Sequence, residues 1–352
     1  MLRRGDRLLV RVPDWLGDLV MAEPALRALH ERVRELDGAL TLAGSPRLFE
    51  VFDGRLDGVR RVDADDANAW RGHDVALLLT GSFRSAWSAA RALIPRRVGQ
   101  ARDGRTWLLT QSVVPARELG ATPLTLGIHG PFPRYLPRPF GATCVELAHS
   151  LGATVRDTRP RLEPSNAGLG ALAKRLKSFG LRSDESFVLA NVGARSGSAK
   201  GWPAESWASA LSGFELPIVL VGGPTEEPVL ERVRALTRDA RVFACLEPLA
   251  GLGELVALCA AARLVLTADA GPRHVANAVG APLVVVCGPS DPRHTADHNS
   301  RTLVLRAPVD CGPCHRERCP LSGEGELRCM RDVEPQRVAN AARERLASMV
   351  KA

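Results

Sequence analysis

Tyrosine occurs once in 352 residues, and aromatic residues together make up 5%. That leaves little for the stacking platforms that hold single-stranded nucleic acids. Basic runs and zinc-finger spacing are missing too, so no nucleic-acid partner is expected. No apolar run approaches the ~20 residues of a membrane-spanning helix. The first fifteen residues are basic and then apolar, like a secretory leader. Their apolar part is short, broken by Arg11 and without a small-residue cleavage site, so it reads as a first strand and the chain as cytoplasmic. Lysine is scarce: four of the 47 basic residues, the rest being arginine. Against 39 acidic residues the net charge is +8. Arginine forks suit phosphate and carboxylate, so an anionic substrate or an anionic membrane face fits. An arginine-rich genome accounts equally well for any single arginine.

A glycine triplet is also absent from the first strand-to-helix turn. After "RLLVRV" come Pro13, Asp14, Trp15, Leu16, Gly17 and Asp18. A dinucleotide turn needs glycines so that backbone can approach phosphate, which counts against a nicotinamide dehydrogenase. With one glycine and two acids, this turn aims a carboxylate, Asp18. The alternative is that Asp18 caps its helix.

Strand-like and helix-like runs alternate through both halves, implying parallel sheets covered by helices. The expected fold class is α/β with two doubly wound, Rossmann-like domains. The proline-rich, polar segment 155–168 reads as the break. The expected domains are 1–160, 161–334 and a last helix in 335–352 that packs back toward the first domain. Ligands of such sheets bind at the carboxyl ends of strands, and several chemistry-bearing stretches follow strands. In "NVGARSGSAKGWP", Gly193, Ser196 and Lys200 form a glycine-serine loop ending in a lysine, suited to a phosphate but lacking the Walker order. In "VLVGGPTEEPVLE", Glu226 or Glu227 is placed to hold ribose hydroxyls, or to sit in a first helical turn. In "LTADAGPRHVANAVG", Asp269, Gly271, Pro272 and His274 sit at a turn into a helix, where free amides favour an anion.

Of eight cysteines, Cys144, Cys245, Cys259 and Cys287 read as small buried hydrophobes. Cys311, Cys314, Cys319 and Cys329 cluster near the end. One short pair plus two further thiols is a candidate structural zinc set, although no second short pair exists.

The stretches "PDWLGDLVMAEPALRAL", "GSFRSAWSAARALIPRRVG", "NVGARSGSAKGWP", "LTADAGPRHVANAVGAPLVVVCGPSDP" and "CGPCHRERCPLSGEGELRCMRDV" occur in the order found in glycosyltransferase family 9. Over roughly residues 7–345 the chain resembles that family. The tryptophan-bearing turn before Gly17-Asp18 is most similar to its ADP-heptose:lipopolysaccharide heptosyltransferases. The resemblance implies a GT-B fold whose two domains face a central cleft. It implies an inverting transfer from an ADP-sugar donor to a phosphorylated, lipid-linked sugar acceptor, with no obligatory metal or other cofactor. The position matching Asp18 is then the general base, and Lys200 a catalytic cation on the diphosphate. Gly193, Ser196, Glu226, Glu227, Asp269, Gly271, Pro272 and His274 match the donor side. Gly17, Arg84 and Arg97 fall where the acceptor belongs, with peripheral contact to the cytoplasmic membrane face. A transferase of the same family with another sugar, or a nucleotide-sugar-binding protein without turnover, remain the competing readings.

Overall fold

A computed structural model describes residues 1–56, 58–115, 137–194, 198–295 and 300–348. The chain divides into two compact units. The first consists of residues 1–49, 56–160 and 293–296, the second of 50–55, 161–292 and 297–352.

The first unit holds strands β1 Arg7–Arg11, β2 Ala39–Gly44, β3 Arg60–Asp63, β4 Val75–Leu78, β5 Arg96–Gln100 and β6 Gln111–Val113. Its helices are α1 Leu16–Glu35, α2 Phe83–Arg91 and α3 Phe140–Ser150. All pairings are parallel, in the order β3-β2-β1-β4-β5-β6. Leu8, Leu9 and Val10 of β1 are fully buried, as a central parallel strand covered on both faces requires. Arg11 pairs with Leu78, and the Leu79 N–H donates to the Arg11 carbonyl. The loops leaving β1 and β4 therefore emerge side by side. Residues 123–136 of the proline-rich stretch lie outside the described residues.

The second unit repeats the plan. Its strands are β7 Val188–Asn191, β8 Ile218–Val221, β9 Val242–Ala244, β10 Leu264–Ala268, β11 Leu283–Val286 and β12 Thr302–Leu305. They run parallel in the order β12-β11-β10-β7-β8-β9. Counted from its own first strand, this is the order of the first sheet. Helices α4 Asn166–Ser178, α5 Ala204–Leu211, α6 Glu227–Thr237, α7 Leu252–Ala261 and α8 Gly271–Ala278 alternate with the strands, followed by α9 Arg328–Arg331 and α10 Pro335–Ser348. One core joins Trp202 and Trp207, packed edge to face, with Leu220, Leu266 and Val286. The expectation that the last helix packs toward the first domain differs from what is seen: α10 belongs to the second unit and buries Val338, Ala341 and Ala342 in that same core. Its apolar stripe is satisfied there.

Candidate functional site

In the second unit, strand order reverses between β7 and β10, the kind of point where doubly wound sheets hold ligands. Asn191 ends β7 opposite Thr267. Its buried amide donates to the Gly193 carbonyl and to Thr267 Oγ1, both at 3.1 Å. One side chain thus ties together the exits of both central strands.

Asp269 is the first residue beyond β10 and only 3% exposed. A carboxylate so buried needs partners. It pairs with Arg273, itself fully buried one turn along α8, and with Lys200 Nζ at 3.5 Å. Burial alone would raise its pKa. The charges of Arg273 and Lys200, with hydrogen bonds from Ser290 and Arg273, outweigh that and hold the carboxyl well below the usual carboxylate range. Asp269 is not the helix cap: the N-cap of α8 is Ala270, which has no side-chain oxygen to offer. Of the expected amide donors, Gly271 keeps its N–H, whereas Pro272 has none to give. His274 is buried within α8 rather than exposed.

Lys200 leaves the core and is 41% exposed along its side chain. Its loop is held from behind, where the Ala199 N–H donates to the Glu317 carbonyl at 2.7 Å. Ser196 lies outside the described residues. Glu226 is half-buried and accepts a hydrogen bond from the Gly223 N–H. Its carboxylate rests on Gly193, where any Cβ would collide with it. Glu227 is exposed at the start of α6. Geometry therefore separates the two acids: Glu226 reaches the β7 exit loop beside Lys200's segment. Sequence reasoning singled out Ser290 in the loop after β11 but missed Asn191, at the end of β7, and Arg273, in the first turns of α8; their only signal was their place at the carboxyl ends of strands.

Cysteines 144, 245, 259 and 287 are buried as expected, and burial raises all four thiols. In the carboxyl-terminal cluster Cys329 is buried, and its thiol is pushed up to about 11 by burial and by Cys311, Cys314 and Cys319. The Leu327 N–H points at Cys319 Sγ, 3.3 Å away. This segment braces the carboxyl edge twice, through Glu317 to Ala199 and through the His315 N–H to the Pro289 carbonyl at 2.9 Å.

In the first unit, Asp18 is the third residue of α1, following Gly17 and the N-cap Trp15. The cap position is therefore taken by Trp15, and Asp18 is half-buried in the first turn, where the helix dipole favours its charge. Its field is felt by the Cys144 thiol of α3, raised by burial and then by Asp18. The other acid of the turn, Asp14, is engaged by Arg11 at 2.7 Å. Arg84 is 78% exposed and pairs with Asp65 at 2.9 Å. Arg97 instead gives its guanidinium to the carbonyls of Ile94 and Leu108, both at 2.6 Å. It braces β5 against the turn at 106–108. Arg105 is similarly consumed, fully buried against Ser82, Ser85 and Gln100, with burial lowering its pKa to about 10.

One feature was not foreseen. The exposed aromatics Trp15, Phe83, Trp87 and Trp107 all lie on segments that follow β1, β4 and β5. Phe83 stacks on Trp87 with centroids 6.5 Å apart and meets Trp107 at 6.1 Å. Exposed clusters of this kind mark binding surfaces. Among the described residues, no helix is long and apolar enough to cross a membrane.

Comparison with known proteins adds to this geometry. The family model described as glycosyltransferase family 9 (heptosyltransferase) matches residues 136–324, more than half of the chain. The lipopolysaccharide heptosyltransferase 2 of Escherichia coli (strain K12) is 27% identical, across 94% of this chain and 96% of its own length. The solved E. coli ADP-heptose lps heptosyltransferase II superposes with a TM-score of 0.73 at 23% identity, covering 97% of this chain and 99% of that one. A family 9 glycosyl transferase from Veillonella parvula DSM 2008 gives 0.76 at 19% identity, with 99% of both chains covered.

Proposed function

The chain belongs to glycosyltransferase family 9, and from that premise we propose that it moves a heptose from ADP-heptose to the lipopolysaccharide inner core with inversion. The observation that carries this reading is the cluster at the switch point of the second sheet: Lys200, the buried Asp269–Arg273 pair, the α8 amino terminus and Glu226. A departing diphosphate gains negative charge, and one lysine with a helix amino terminus meets it without a metal. Glu226 lies where it would accept from ribose hydroxyls.

In the transfer, an acceptor hydroxyl attacks the anomeric carbon from the face opposite ADP. The new C–O bond forms as the bond to the β-phosphate oxygen breaks. Asp18 takes the hydroxyl proton and ADP leaves with the electron pair. An ordinary carboxylate, pKa ~4, is too weak to ionise an alcohol beforehand, so proton transfer accompanies attack. Gly17, next to Asp18, adds no side chain beside it. Arg84 and the exposed aromatics suit an acceptor that is anionic at one end and apolar at the other. The same surface brings the first unit to the membrane face in which a lipid-linked acceptor sits. The cysteine set expected for zinc is not gathered into a ligand group: among the described residues, the group whose ligating atoms all lie within 4.8 Å of one another is Asp291, His294 and His315.

Incubating the protein with ADP- and UDP-sugars plus deacylated lipid A–core acceptors tests the reading. Release of ADP from ADP-heptose, dependent on acceptor, is the expected result. Folded protein releasing nucleotide from no donor would overturn it.

A further inference from the structure

At the opposite, amino edge of the first sheet lies a cavity of about 600 Å³ that the transfer reaction does not use. Arg7 and Arg60 open β1 and β3 on its wall, Arg34 comes from the last turn of α1, and Arg71 and His73 precede β4. His30, one turn earlier on α1, completes the rim. No carboxylate lines the cavity among the described residues. Arg7 is partly engaged by Asp74, 3.3 Å away. Arg34, Arg60 and Arg71 make no ion pair among the described residues.

The charge sum favours an anion decisively. The carboxyl end of α1 brings roughly half a negative charge and Asp74, beside Arg7, one more, against four guanidinium charges. The pKa values of both histidines are lowered chiefly by burial, with the arginines acting the same way. His30 is made less basic by burial and then by Arg34, with Glu31 acting the other way. His73, its Nδ1 3.2 Å from the Trp70 carbonyl, is lowered by burial and by Arg60 and Arg7, against that carbonyl contact and Asp74. Guanidinium groups gathered with few counter-charges attract anions. Their planar forks match phosphate oxygens two at a time. The volume falls in the range of small-molecule sites and far exceeds one phosphate.

We propose that this cavity is a second ligand site, separate from the transfer site, that takes a phosphorylated organic anion through Arg34, Arg60 and Arg71. The phosphate belongs either to a free metabolite or to a lipid headgroup, and the chemistry of recognition is shared.

Calorimetry with inorganic pyrophosphate tests it on the full chain, using wild type, Lys200→Ala, Arg34→Ala/Arg60→Ala and the triple variant. The donor reading predicts that Lys200→Ala removes one binding component. The cavity predicts a second, which survives Lys200→Ala and weakens at least about tenfold in the triple variant. The two inferences thus fail separately. In parallel, sedimentation with phosphatidylcholine vesicles, with and without phosphatidic acid, reads the headgroup source. Binding that needs phosphatidic acid and is lost in Arg34→Ala/Arg60→Ala assigns the site to a headgroup; binding of pyrophosphate alone assigns it to a soluble anion. These arginines are exposed, so the variants should melt with wild type. Arg34→Lys/Arg60→Lys should recover part of the affinity, since charge returns without the fork. No arginine-dependent binding in either arm would overturn the proposal.

Discussion

The two sheets share one strand order yet carry opposite chemistry at their carboxyl edges. The first edge displays Trp15, Phe83, Trp87 and Trp107 to solvent on the segments after β1, β4 and β5, and carries a half-buried Asp18. The second exposes no large aromatic among its described residues and instead buries charge, in Asp269 and Arg273, behind a reachable Lys200. Topology determines where a ligand can bind. The residues placed there decide which ligand it is; on the proposed reading, an amphipathic acceptor at one edge and a nucleoside diphosphate at the other.

This division of labour is open to breakage, edge by edge. Asp18→Ala should lower kcat by ~10²–10⁴-fold, the usual contribution of a general base. ADP affinity should stay unchanged by calorimetry, and a parallel loss of ADP binding would erase the distinction. At the second edge, Asp269→Asn leaves Arg273 buried without its counter-charge, which costs about 3–5 kcal/mol in comparable cases and is measurable by urea unfolding. Because the native carboxyl titrates below its unfolded value of ~3.9, its stabilising contribution is complete above that pH and fades as pH falls toward the native value. The gap between wild type and Asp269→Asn should therefore narrow below about pH 4. Trp87→Ala with Trp107→Ala should raise the acceptor KM by roughly tenfold, on the scale of losing one or two aromatic contacts, and leave the donor KM alone. The smallest effect is expected of Arg84→Ala, whose guanidinium is solvated. Its acceptor KM should rise several-fold at low salt and less at high salt, with the donor KM constant. An equal rise in both would remove Arg84 from the acceptor side. Arg97→Ala should register as lost stability instead, since its hydrogen bonds run to backbone carbonyls.

Much of this was legible beforehand. Strands such as "LLV", "IVLV" and "LVVV" announce themselves as apolar runs, and the loops after them carry the candidate donor residues. β5 and β6 were missed because "RRVGQ" and "QSV" are polar strands toward a sheet edge, where one-sided burial leaves no apolar run. The sequence shows that Arg273 is four residues from Asp269. It does not show that both are buried, and burial is what makes the pair important. Arg97 reads as a free cation in sequence, yet the fold spends it on carbonyls. The aromatic cluster and the arginine cavity were invisible for one shared reason: their members come from segments far apart in the chain, and only the sheet order brings them together.

The seat of Glu226 on Gly193 binds the histories of two positions. A methyl group at 193 would evict the carboxylate and break its hold on the Gly223 N–H. A descendant lineage that gains a side chain at the first position has no use for the acid at the second. The two should be inherited, and lost, as a couple.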